Sequence, residues 1–122
     1  MVKIACETDF VARNEAFIEL ANDIAMHVAA MSPLYLSRED VPQDVLAKEA
    51  EIVKEQNAGK PADILDKIVE GKLEKYYEEM CLLDQKFIKD EDMTIQQLVE
   101  SKVASLGENM KVVGFSRLQI GE

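Results

Sequence analysis

The side chains able to do chemistry are few and scattered. The chain has one histidine, His27, and two cysteines, Cys6 and Cys81. A Cys–His or Ser–His–Asp nucleophile needs an imidazole beside the attacking atom. His27 falls in an apolar helical stretch, one residue before Val28, and reads as a structural or surface histidine. A small hydrolase built on Cys6 and His27 is the remote alternative, since nothing local joins the two. A zinc site needs three or four Cys, His or carboxylate ligands at defined spacing, which this set does not provide. "KDEDM" at 89 to 93 lacks the spaced oxygen ligands and the glycine of a calcium loop, so it reads as a solvated turn. Glu78 and Glu79 are adjacent on a predicted helix and point in different directions, which spoils them as a general acid/base pair. Tyr76 and Tyr77 read as helix packing rather than a stacking platform for bases. No G-x-G-x-x-G or G-x-x-x-x-G-K-[ST] run occurs, so nucleotide cradling is not expected. No catalytic residue, metal ligand or cofactor is assigned, and the chain is expected not to be an enzyme.

The bulk properties narrow the partners. With 122 residues the chain is expected to form one domain spanning 1–122, and 48% hydrophobic content suits a folded core. Fourteen basic against twenty-four acidic residues give a net charge of −10. That charge opposes phosphate backbones and anionic membranes, and it suits a partner surface rich in Lys and Arg. The cysteines show no CxxC spacing and are expected to stay reduced, a 6–81 or intermolecular disulfide being the minor alternative. No signal-peptide pattern and no apolar run of membrane-spanning length occurs, so a soluble, intracellular protein is expected.

One stretch stands apart. Residues 8 to 17, "TDFVARNEAF", place an acid and a bulky aromatic at a strand-to-helix junction, where loops carry function more often than core. The bland reading has Phe10 stapled over the following helix and Asp9 capping it.

The elements around it follow from periodicity. "VKIACE" alternates Val2, Ile4 and Cys6 against Lys3, Ala5 and Glu7, a half-buried strand entered abruptly at Met1. That abrupt entry suggests a natural protein extending upstream. Phe17, Leu20, Ala21, Ile24, Ala25 and Val28 make one apolar helical face. Thr8 or Asn14 could cap that helix, and it should end near Met31, before Ser32-Pro33. Ser37–Asp40 resembles a capping box, and Pro42 suits the first turn of a helix to about Asn57 with Val45, Leu46, Glu49, Ile52 and Val53 as its stripe. The next helix places Ile64, Leu65, Ile68, Leu73, Tyr76, Tyr77 and Met80 along one side, with Gly71 marking close packing or a bend. "CLLDQKFIKDEDM" reads as extended or hairpin-like. Thr94 and Gln97 form a capping box for a helix stopped by Gly107, and "NMKVVGFSRLQI" reads as a strand with Gly114 as a bulge. Strand, helices and closing strand describe an α+β domain. Met31, Tyr35 and residues 82 to 90 suit either an interface or the core.

Four stretches carry a resemblance over nearly the whole chain: "CETDFVARNEAF" at 6 to 17, "IAMHVAAMSPLYLSREDVP" at 24 to 42, "GKPADILDKIVEGKLEKYYEEMCLLDQKFIKD" at 59 to 90 and "GENMKVVGFSRLQIGE" at 107 to 122. In this order they resemble the elongation factor Ts family of guanine-nucleotide exchange factors. The resemblance implies the family's core, or dimerisation, domain, an antiparallel β-sheet packed on one side by several α-helices. On this resemblance the family's amino-terminal, ubiquitin-associated-like module is expected to be absent from these residues. The "DFVARNEAF" helix runs straight into "IAMHVAA", as in short forms that pair as homodimers. The resemblance further implies elongation factor Tu as partner, in the cytoplasm or an organellar matrix. Its exchange motif falls on Thr8, Asp9, Phe10 and Val11, with Asp9 and Phe10 pressing near the GTPase's magnesium and phosphate site. Arg13 and Asn14 follow as supporting contacts. The alternative is an oligomerisation module without exchange activity.

Overall fold

The computed structural model describes residues 1–121. The expected alternation at the amino terminus becomes strand β1 (Val2–Cys6), in which Val2, Ile4 and Cys6 are half-buried and Lys3 and Ala5 exposed. β1 pairs antiparallel with the closing strand β4 (Met110–Phe115), Val2 opposite Phe115 and Cys6 opposite Met110. The register shifts between Lys3↔Gly114 and Ile4↔Val112. One extra residue, Val113, therefore sits in β4 as a bulge beside the anticipated Gly114.

Both caps proposed for the first helix are used, one for each of two helices. Thr8 starts α1 (Asp9–Ala12), Asn14 starts α2 (Glu15–Met31), and the helix is interrupted between them. α2 ends where Ser32 turns left-handed with φ 51°, just before proline. Its face of Phe17, Leu20, Ile24 and Val28 packs with Ile95, Leu98 and Val99 of α5 (Ile95–Leu106), Met110 and Val112 of β4, and Leu82 and Phe87. Fully burying such a side chain contributes about 1.5–3 kcal/mol, so this cluster is the main cohesive element. α5 starts with the Thr94/Gln97 capping box, in which the Thr94 N–H donates to Gln97 Oε1 at 2.9 Å and the Gln97 N–H to Thr94 Oγ1 at 3.2 Å. It stops at Gly107, φ 70°. The hairpin expected upstream of it is β2 (Lys86–Phe87) with β3 (Asp90–Thr94), entered through a 3₁₀ turn at Leu82–Asp84. The fold is α+β, and its described strands form two two-stranded antiparallel ribbons.

Helices α3 (Gln43–Gln56) and α4 (Ala62–Met80) pack on each other as a hairpin, and the carboxyl end of α4 meets the 82–84 turn. Val53 is the one buried residue of α3, and α4 has none among the described residues. Ile52 and Ile64 stay more exposed than their apolar stripe implies, because a two-helix hairpin covers each stripe from one side only. Arg38 ties the hairpin's base to the body. Its Nη atoms donate to the Glu74 carboxylate at 2.8 and 2.9 Å, its Nε to Asp84 at 3.1 Å, and its guanidinium lies over the Tyr77 ring. These partners, Glu74 foremost, raise its pKa and keep it charged. Gly71 is exposed, and an added Cβ would meet nothing within 4 Å, so it marks no close packing. Of the segments with two readings, Leu82, Gln85 and Phe87 belong to the interior, Tyr35 bridges to Cys81, and Met31 is exposed.

Candidate partner-docking site

α1 is a single turn, and its short length is what aims its side chains. Thr8 is extended (φ −133°, ψ 158°) and its Oγ1 accepts the Val11 N–H at 3.4 Å. The Ala12 N–H donates to the Thr8 carbonyl at 3.2 Å and the Arg13 N–H to the Asp9 carbonyl at 3.1 Å. Asn14 then leaves the helical region, and its Oδ1 accepts the Ala16 N–H at 2.8 Å. Two N-caps six residues apart thus change the chain's direction between α1 and α2. Successive helical residues are turned by about 100°, so one buried anchor leaves its neighbour facing away. Val11 is that anchor, 9% exposed within the core, and Phe10 beside it is 88% exposed.

The expected site residues are therefore brought together in two groups. Asp9, Phe10 and Arg13 project, and among the described residues their side chains make no hydrogen bond or ion pair. Thr8, Val11 and Asn14 hold the platform. The staple reading of Phe10 fails, because it packs over nothing. The capping role given to Asp9 belongs to Thr8, though an acid in the first turn still favours the helix dipole.

Sequence reasoning missed Glu108. One of its carboxylate oxygens accepts the Thr8 N–H, and the other accepts the Thr8 hydroxyl at 2.8 Å, from a residue 100 positions away. No local pattern ties those two positions, so only the quoted "GENMKVVGF" stretch marked its neighbourhood. Gln85 was missed as well, for the same reason.

His27 is fully buried, and the Ile88 N–H donates to its Nδ1 at 3.1 Å. Nδ1 is thus the acceptor and Nε2 carries the proton, donating to Gln85 Oε1 at 2.9 Å. The Gln85 amide nitrogen donates to the Glu79 carbonyl at 2.7 Å and to the Met31 carbonyl at 3.4 Å. Burial lowers the His27 pKa, the Gln85 hydrogen bond pulling weakly the other way. A neutral imidazole with both nitrogens engaged is a structural junction. Both cysteines are free thiols: Cys6 donates to the Thr8 carbonyl at 3.4 Å, and burial pushes Cys81 up to about 11. Among the described residues no group of three His, Cys, Asp or Glu could hold a metal ion, and no helix is long and apolar enough to cross a membrane. What α1 offers is a carboxylate without a hydrogen-bond or ion-pair partner among the described residues and an uncovered aromatic ring, on a turn capped by Thr8 and anchored by Val11.

Residues 19–122 match the family described as Elongation factor TS. Over its whole length the chain is similar to proteins named Elongation factor Ts: 57% identical over 123 residues to that of Thermodesulfovibrio yellowstonii. It is 52% identical over 124 residues to that of Fervidobacterium nodosum, and 51% over 124 residues to that of Carboxydothermus hydrogenoformans. The chain spans 62%, 63% and 57% of those relatives. The α1 motif precedes the family match at residue 19 and lies inside all three pairwise alignments.

Proposed function

The chain belongs to the elongation factor Ts family, and on that premise we propose that it is a guanine-nucleotide exchange factor for elongation factor Tu, acting in the cytoplasm or an organellar matrix. The observation that carries this reading is the 88% exposure of Phe10 on a turn capped by Thr8 and anchored by Val11. Asp9 and Phe10 are the residues that enter the GTPase near its magnesium and phosphates. Tight GDP binding depends on magnesium and on backbone amides ordered around the phosphates. A ring that favours a conformation with those amides displaced weakens GDP, and bound GDP weakens the factor by the same amount. No covalent bond changes. A tenfold loss of GDP affinity needs only about 1.4 kcal/mol of coupling, comparable to the burial of one aromatic side chain. The same ring is left in water in the free factor, so docking recovers burial that folding left unused.

Stopped-flow release of a fluorescent GDP from elongation factor Tu, with the chain and its Phe10→Ala form side by side, tests this. Acceleration by the unsubstituted chain and its loss in the variant is the expected result. Slow release with both, at concentrations where binding is demonstrated separately, leaves an oligomerisation module as the reading.

We also propose a homodimer. Its support is the apolar continuation beyond β4, where Leu118 and Ile120 are 95% and 102% exposed. Light scattering across micromolar concentrations should give twice the chain mass, and a single-chain mass throughout would overturn the pairing.

A further inference from the structure

We propose that Glu108 is the positioning residue of the exchange element, holding α1 at its N-cap, Thr8, so that Phe10 stands outward at a fixed angle. The inference rests on the reading of α1 as that element. The register of the β1–β4 ribbon supplies the starting point. Ala5 pairs with Lys111 and Cys6 with Met110, so two steps further along the same antiparallel count Thr8 comes opposite Glu108. A backbone ladder cannot continue there, because Thr8 has become the cap of a helix and Glu108 follows the left-handed Gly107 that ends α5. The Glu108 side chain takes over from the ladder. Its two oxygens receive the Thr8 N–H and the Thr8 hydroxyl, and bonds to an ionised acceptor are about twice as strong as neutral ones.

The hydroxyl is shared in a useful way. While its proton goes to Glu108, its oxygen accepts the Val11 N–H, so the clamp reaches into α1 itself. Gly107 is fixed in turn by its N–H to the Val103 carbonyl at 2.9 Å. A continuous path runs from α5 through Gly107, Glu108 and Thr8 to α1. Val11 fixes the depth of the turn, and Glu108 fixes its rotation. Without the second constraint a four-residue helix is free to fray, since so short a helix has little stability of its own. Phe10 would then sample many directions, and the coupling to the GTPase would weaken although the ring remained present.

Three substitutions separate positioning from charge. In Glu108→Gln the amide oxygen accepts the Thr8 N–H and the amide nitrogen donates to Thr8 Oγ1, so the clamp survives without its charge. Glu108→Asp keeps the charge but withdraws it by one methylene, and Glu108→Ala removes both. GDP release at saturating factor should fall about tenfold for Ala and Asp and stay within about twofold of the unsubstituted rate for Gln. Hydrogen exchange at the Ala12 and Arg13 amides should quicken in Ala and Asp, while protection along α2 is unchanged. Ala and Asp variants that exchange nucleotide normally, beside a Phe10→Ala control that does not, would overturn the positioning role and leave the exchange reading standing. An equal loss in Gln and Ala, or lost protection along α2, would overturn it too, in favour of a charge contact or a folding role. A Phe10→Ala control as active as the unsubstituted chain would instead bring down the exchange reading of α1.

Discussion

Phe10 and Phe17 lie seven residues apart in one stretch, and folding treats them oppositely: Phe17 is 8% exposed and Phe10 88%. Phe17 keeps the helical spacing with Leu20, Ile24 and Val28, and it is buried among them. Phe10 precedes the break at Asn14 and belongs to a different helix with its own cap. The buried ring follows a period that can be read along the chain. The exposed ring is held by contacts from elsewhere, Val11 in the core and Glu108 on Thr8. The contrast is one of energetics as well: one ring stabilises this fold by its burial, and the other is left in water.

The sharpest separation of the two rings is thermodynamic. Phe17→Ala should cost about 3–5 kcal/mol, the loss of a buried aromatic plus its cavity, read as a lowered urea midpoint. Phe10→Ala should change the unfolding free energy by less than about 0.5 kcal/mol. Equal costs would mean that Phe10 packs in solution and is no wedge.

The His27 junction sharpens the contrast from the polar side, because there every group is satisfied within the fold. Gln85→Ala should cost about 2–3 kcal/mol, since it strands the His27 Nε2–H and the Glu79 carbonyl. The junction should also feel pH. The folded imidazole has its pKa below the ordinary 6.5, so as pH falls the unfolded chain takes up the proton first. Below about 6.5 the unfolded state binds more protons, and stability, whole above that value, declines by at most ~1.4 kcal/mol per pH unit. Urea midpoints between about pH 7.5 and 5.5 check it, and the slope should shrink when His27 is replaced by an uncharged residue.

The smallest effect lies on the hairpin. Gly71→Ala should stabilise by roughly 0.5–1 kcal/mol, because the position is helical and an added Cβ meets nothing. A loss there would mean that another surface covers α4 in solution.

Much of this was legible along the chain, and the reason is range. Caps at Thr94 and Gln97, the stop at Gly107, the end of α2 at Met31 and the alternation of β1 are set by residues a few positions apart, where sterics and local hydrogen bonds decide. The α+β class and the face of α2 follow from the same short-range patterns. The α1 motif was visible by its resemblance to a family, while its attitude was not: Thr8 and Asn14 were alternative caps for one helix, and both are used. The stripe on α4 was read correctly as a pattern yet stays half-buried, since patterning cannot say how many neighbours a helix will find.

By itself the sequence determined most of the helical and strand segments and several of their stops, Met31 and Gly107 among them, although the closing strand ends at Phe115 and leaves out the "SRLQI" that the pattern had included. Only the tertiary structure decided that Thr8 meets Glu108, that His27 meets Gln85, and that Phe10 faces water. Those pairings join residues 100 and 58 positions apart, and contacts at such separation depend on the path of the whole chain rather than on any local preference.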